Sequence, residues 1–190
     1  MQQYTQSVKA FITKHKKALS IGAGIFVVAA IIAGGVAYSI ATDPHRVVYQ
    51  PTRACDLFTD SEAQTLLGDK KAINRVQDPV VSGDTAASSC SYSDTNPDEN
   101  AMKVAAMIVR SGVNDFGVTQ NQTDFANKRK QTADIEVVTG IGDTAFFDKA
   151  TGQLNVLKGR DSFLMSYGVG TKPTENTVDD AVAFAHLVLN

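Results

Sequence analysis

Few residues in this chain have the types and spacing that chemistry requires. The stretch TGIGDTAFFD, residues 139–148, presents two glycines, Gly140 and Gly142, of the kind that cradle phosphate. A dinucleotide turn needs G-x-G-x-x-G between a strand and a helix, so that backbone amides and a helix N-terminus hold the pyrophosphate together. Here the third glycine is missing, and Phe146-Phe147 continue in a strand pattern. A Walker-type Gly-Lys-Ser/Thr ending is absent as well. The stretch reads as a tight turn feeding a strand, and no cofactor is expected.

Asp94, Asn96, Asp98 and Asn100 alternate like the oxygen ligands of a calcium loop. Such a loop has glycine at its sixth position and glutamate at its twelfth; Glu99 and Ala105 stand there instead. The segment reads as a solvated hairpin loop, and no metal site is expected. The three histidines, His15, His45 and His186, have no companion ligands nearby in sequence. No serine lies in G-x-S-x-G. No catalytic residue can be named on this basis, and an enzyme is the least supported class. Asp179-Asp180 sit where a helix should begin, and negative charge there complements the helix dipole. NKRKQ, residues 127–131, reads as a solvated helix face, with contact to an anionic envelope polymer or lipid as the alternative. Asn121-Gln122-Thr123 spells an N-glycosylation acceptor, relevant only in a host that uses such sites.

The two cysteines, Cys55 and Cys90, are even in number, and both lie beyond a long apolar segment. In an oxidising compartment they are expected to form one disulfide. They have neither C-x-x-C spacing nor histidine company, which argues against redox or metal work.

The apolar segment sets the compartment. Residues 19–41 contain no charge, and a helix of roughly 20 residues crosses a bilayer core. Lys9, Lys14, Lys16 and Lys17 precede it and Asp43 follows, so the N-terminus is expected inside and the rest outside. All 20 acidic residues lie at or beyond Asp43, with 14 of the 18 basic ones, a balance of −6 for the outer part. A nucleic-acid partner would need a basic face, so none is expected. Ser39-Ile40-Ala41 is a passable signal-peptidase site, but the apolar run is longer than the usual h-region of about 7–15 residues. A retained anchor is the favoured reading. Ala30 with Gly34, and Ala29 with Ala33, would let two such helices approach closely, a further option for the span.

The expected organisation is a basic cytoplasmic segment (1–18), a transmembrane helix (19–41), a proline-bearing linker (42–54) and one extracytoplasmic domain (55–190). Within the domain, Thr59 and Glu62 form a capping box for a helix that ends at Gly68, with Phe58 and Ala63 as its hydrophobic staple and Leu66 and Leu67 facing inward. SSCSYSD alternates as a half-buried strand, with Cys90 and Tyr92 on one side. AMKVAAMIVR is a second strand, with Met102, Val104, Ala106 and Ile108 on one face. Part of residues 113–131 is helical. Residues 143–148 begin a three-stranded meander, turning at 149–152 and at Gly159-Arg160. Thr177 with Asp180 caps a last helix whose inner face is Val178, Ala181, Val182, Ala185 and Leu189. The class is α+β, an antiparallel sheet packed with helices.

CDLFTDSEAQTLLG, CSY, VTGIGDTAFFD, LNVLKG and the alanine-rich last helix resemble the small extracytoplasmic domains and lipoproteins of unknown function in high-GC Gram-positive bacteria. The resemblance runs over residues 55–190, mostly as spacing. It implies an antiparallel sheet with helices, similar to PsbP-like domains. Many members carry a lipid-modified cysteine where this chain has its apolar run. The family has no established catalytic residues, so none is carried over. The expected function is a single-pass, membrane-anchored binding or adaptor module of the cell envelope, its partner an envelope protein or small ligand. The alternative is a structural subunit of an envelope assembly, although the span lacks a pilin signature.

Overall fold

The computed structural model describes residues 47–190 apart from 69–70, 97, 99–100 and 170–175. The span read over residues 19–41, the basic segment 1–18 and the start of the linker lie outside the described residues. Among the described residues no helix is long and apolar enough to cross a membrane.

Seven strands form one antiparallel sheet in the order β1-β2-β3-β7-β6-β5-β4. They are β1 (Lys71–Ser82), β2 (Thr85–Asp94), β3 (Lys103–Gly112), β4 (Ile135–Val138), β5 (Thr144–Asp148), β6 (Gln153–Lys158) and β7 (Asp161–Val169). Four helices accompany them: α1 (Ala54–Leu57), α2 (Asp60–Leu67), α3 (Asp115–Gln131) and α4 (Val178–Leu189). Two meanders, β1 to β3 and β4 to β7, meet at the β3–β7 pair, and α3 carries the chain from the sheet centre to the far edge. This is the α+β class expected.

The inner face of the sheet packs against α1, α2 and α4. Cys90, Met107 and Met165 stand opposite one another on β2, β3 and β7 and are fully buried. Phe58, just ahead of α2, meets Tyr92 of β2 and Phe184 of α4 with ring centroids 4.8 and 4.7 Å apart. Burying side chains of this size stabilises a fold by roughly 1.5–3 kcal/mol each. The outer face carries α3, whose Phe125 meets Phe146 at 5.3 Å beside Leu157.

Local chemistry explains the elements that the sequence announces. Thr59 caps α2 by accepting from the Ser61 amide, while the Glu62 carboxylate accepts from the Thr59 amide at 3.0 Å and from its hydroxyl. Gly68 then stops the helix at φ 82°. Leu67 is buried and Leu66 partly so, and the staple pair Phe58 and Ala63 is fully buried. Thr177 accepts from the Asp180 amide at the start of α4.

Four expectations are corrected. The apolar face of AMKVAAMIVR named above (Val104, Ala106, Ile108) is the half-exposed outer one; the core takes Ala105, Met107 and Val109. The strand is apolar on both sides, so alternation alone could not choose between them. The meander has four strands, because short β4 pairs with β5. An edge strand β1 precedes β2; its KAINRVQDPVVS shows no clean alternation, and its register shifts between Gln77 and Val80, around Pro79. Proline cannot donate to a ladder and is accommodated at an edge or a bulge. In α4, Phe184 and Val188 are buried beside Ala181, Ala185 and Leu189, whereas Val178 and Val182 are only partly covered.

Candidate functional site

The elements place the chemically suggestive residues apart from one another. Cys55 in α1 and Cys90 in β2 are joined by a disulfide, with Cα atoms 5.1 Å apart. The bond ties the first helix of the domain to the sheet's buried face.

The loop of Gly140 and Gly142 lies between β4 and β5. Both glycines have positive φ, at 80° and 57°. At Gly142 a side chain would also collide with the Leu157 carbonyl, while at Gly140 the space is open. The Asp143 amide donates to that Leu157 carbonyl at 2.7 Å, and the Asp143 carboxylate accepts from the Gly159 amide at 2.6 Å. The loop's polar groups thus fasten it to the β6–β7 turn, and a strand follows it, as read from the sequence.

The calcium-like run is folded on itself. The Asp94 carboxylate accepts from the Asn96 amide and the Asn96 side chain accepts from the Asp98 amide, both at 3.1 Å. These are turn-forming bonds; Asn100 lies outside the described residues. His186 is exposed on α4, its Nδ1 3.2 Å from the Asn190 side chain. Asp179 and Asp180 occupy the first turn of α4.

Lys128, Arg129 and Lys130 occupy the last turn of α3, where positive charge suits the helix C-terminus. Lys128 is exposed by surface area, yet crowding around its ammonium lowers its affinity for the proton, with Asp148 pulling the other way. Arg129 reaches the Thr144 hydroxyl at 3.5 Å.

Asn121, the first residue of the acceptor spelling, is buried. Its side chain is 1% exposed, and its amide donates to the backbone carbonyls of Arg110 and Arg160, each at 2.9 Å. A group that pins α3 to β3 and to the β6–β7 turn from within the core cannot meet a transferase in the folded protein.

A strap that the sequence places in the linker also contributes. The Tyr49 amide donates to the Val113 carbonyl at 2.8 Å, and its hydroxyl donates to the Asp115 carboxylate at 2.7 Å. Arg160 lies 5.4 Å from the centre of the Tyr49 ring. The bond to Asp115, then burial and the Asp115 charge, raise the Tyr49 pKa above its ordinary value, while Arg160 opposes them. Further along, Thr52 donates from its amide to Ser111 and from its hydroxyl to the buried Asp161 carboxylate. Ser88 bridges the Thr52 carbonyl and the Ala54 amide. None of these pairings is local, which is why the composition of the stretch reads as a spacer.

One surface has the composition of a recognition face. On the outer side of β2, Ser89, Ser91 and Ser93 stand in a row, opposite Ile108, Ala106 and Val104 of β3. Beyond them β7 presents Leu164 and Ser166. All are half-buried, in contrast to the covered inner face. A hydroxyl row beside an aliphatic row can take hydrogen bonds and apolar contact together. It offers no base within the rows to activate a serine; His186, the one histidine among the described residues, is on α4, against the other face. Tyr167 supports the inner side, donating to the Leu66 carbonyl at 3.1 Å. Burial first, then the charges of Asp180 and Asp94, raise its pKa. The signal for the β2 part of this surface was present in SSCSYSD, whose serines alternate with the covered Cys90 and Tyr92; for β3, apolar on both sides, alternation does not say which side is covered.

Comparison of the chain with protein-family models, with curated proteins and with solved structures finds no match.

Proposed function

We propose that this protein is a single-pass, membrane-anchored module of the cell envelope that binds a partner through the outer face of β2, β3 and β7. The observation that carries the anchored reading is the uncharged run of residues 19–41, with four lysines before it and none of the acidic residues. The Cys55–Cys90 disulfide supports an oxidising compartment for the domain. The hydroxyl-and-aliphatic rows support binding in place of chemistry, and their lack of charge favours a neutral, extended partner such as a peptide segment of an envelope protein.

The test uses the full chain in its own membrane. A photo-crosslinking residue at Ser91, in the middle of the face, should trap a second protein, and the same residue at exposed Thr151 should not. The chain should also remain in the pellet after alkaline carbonate. Equal trapping at both positions would remove the proposed face. A product made only of this chain would favour the structural-subunit alternative.

A further inference from the structure

We propose that the strap, residues 47–53, is a removable cover, and that Ser88, Ser111 and Asp161 beneath it form a cradle for an extended peptide segment that brings an arginine or lysine side chain to Asp161. The cradle lies apart from the outer rows and does not depend on them.

Three polar side chains are buried together under the strap. Ser111 is 1% exposed, Ser88 2% and Asp161 9%. Ser111 stands opposite Asp161 across the β3–β7 pair, and the two alternate with the core residues Val109 and Phe163. The bonds that hold the strap here are mostly to its backbone. The Thr52 amide donates to the Ser111 hydroxyl at 3.0 Å. The Ser88 hydroxyl donates to the Thr52 carbonyl at 2.9 Å and accepts from the Ala54 amide at 3.0 Å. The Tyr49 amide donates to the Val113 carbonyl at 2.8 Å. Main-chain bonds of this kind serve any extended segment, and side chains supply the choice among segments. Two side-chain hydrogen bonds read the strap itself: the Thr52 hydroxyl to Asp161 and the Tyr49 hydroxyl to Asp115, each 2.7 Å. Arg53 adds exposed ion pairs to Asp56 and Asp78, which contribute little.

Asp161 is the group that the strap serves least. Its Oδ2 accepts from Thr52, but its Oδ1 is buried with no hydrogen-bond partner among the described residues. Lys158, opposite Asp161 at the β6–β7 turn, gives its ammonium to the Leu189 carbonyl instead. A hidden carboxylate oxygen without a donor is costly, and a guanidinium or ammonium supplies both oxygens where one hydroxyl supplies one. A segment with a basic side chain in the place of Thr52 therefore keeps the main-chain bonds and makes the one that the strap leaves unmade. The disulfide sets where the strap parts from the fold. Cys55 is held to Cys90, so residues 47–53 can leave while α1 stays seated.

The test uses the purified full chain and two fluorescent peptides, one with the strap sequence VVYQPTR and one with arginine in place of its threonine. Tyr49→Phe/Thr52→Ala removes the two side-chain bonds that hold the strap. This loosened chain should bind the arginine peptide about tenfold more tightly than the unaltered chain, whose strap competes from within. It should also bind the arginine peptide about tenfold more tightly than the threonine peptide, and adding Asp161→Asn should erase that difference. Ser111→Cys gives a readout that leaves Asp161 intact. Both native cysteines are paired, so the new thiol should react with a maleimide in the loosened chain and be protected by the arginine peptide. No binding of either peptide, equal binding of the two, a preference that survives in folded Asp161→Asn, or a thiol that the peptide leaves unprotected would each overturn the proposal. A loosened chain that dimerises and excludes both peptides would assign the cradle to the strap of a second copy, and would overturn it as well.

Discussion

Asn121 carries the spelling of a glycan acceptor, and its amide instead fastens α3 to the sheet. The acceptor spelling is local and visible in three letters. The true role is not, because the two carbonyls it meets belong to Arg110 and Arg160, 11 and 39 residues away. Removing the amide takes a donor from both carbonyls, of which that of Arg160 keeps the Gly112 amide at 3.0 Å, and cuts the tie of the helix to them. Asn121→Ala should therefore destabilise the domain by about 2 kcal/mol, measured from the urea midpoint at unchanged slope. Gln122→Ala, on the exposed side of the helix, should be near neutral. Equal effects of the two would mean that the amide holds nothing. Tyr49 gives a second residue-level expectation. Its phenol donates to the Asp115 carboxylate, so losing the proton would set two negative charges together. The folded pKa is raised, so the contribution of this contact is fully present below the ordinary value of about 10 and is lost as pH rises through the raised value. The phenolate absorbance missing from Tyr49→Phe should therefore titrate above the ordinary tyrosine range. Asp115→Asn should bring it down; no movement would remove the carboxylate as the cause.

Elements were legible where their chemistry is local. The capping box of α2, the β2 alternation and the glycine-containing hairpin turns each sit within a few residues, and each forms as read. Elements defined by partners were not. Strand β1 has charges, a proline and no clean period; it is a strand because β2 pairs with it. Strand β4 is four residues long and is recognisable only beside β5. The same limit hid the inner face of β3, since both of its sides are apolar and only α1, α2 and α4 decide which is covered. The outer rows of the candidate site share that ambiguity. The disulfide links a local element to a long-range one, α1 to β2, across 35 residues of chain. Opening that loop frees the unfolded state more than the folded one. Cys55→Ser/Cys90→Ser should lose about 2–4 kcal/mol of stability by denaturant unfolding. Partner trapping at Ser91 should persist at low temperature, because neither sulfur faces the outer rows. Loss of trapping in a variant that is still folded would give the bond a role in the site itself.

At the scale of the whole molecule, charge, oxidation state and topology depend on one another. The four lysines before the apolar run favour an internal N-terminus, and the part beyond residue 42 carries a balance of −6. A Cys55–Cys90 bond persists only where thiols are not continually reduced, so the bond and the orientation stand or fall together. Because both native cysteines are paired, an added thiol is the only one a reagent can find. Ser7→Cys should be shielded from a membrane-impermeant maleimide in intact cells and become reactive on lysis. Thr151→Cys should react in intact cells, because it is exposed in the β5–β6 turn. Labelling of Ser7→Cys alone would invert the orientation and place the domain in a reducing compartment. Protection of both positions in intact cells would place the whole chain inside and remove the anchored reading. Labelling of both on one chain would point to a chain wholly outside, whereas labelling of Thr151→Cys on a shortened chain that has lost residue 7 would point to cleavage after Ala41.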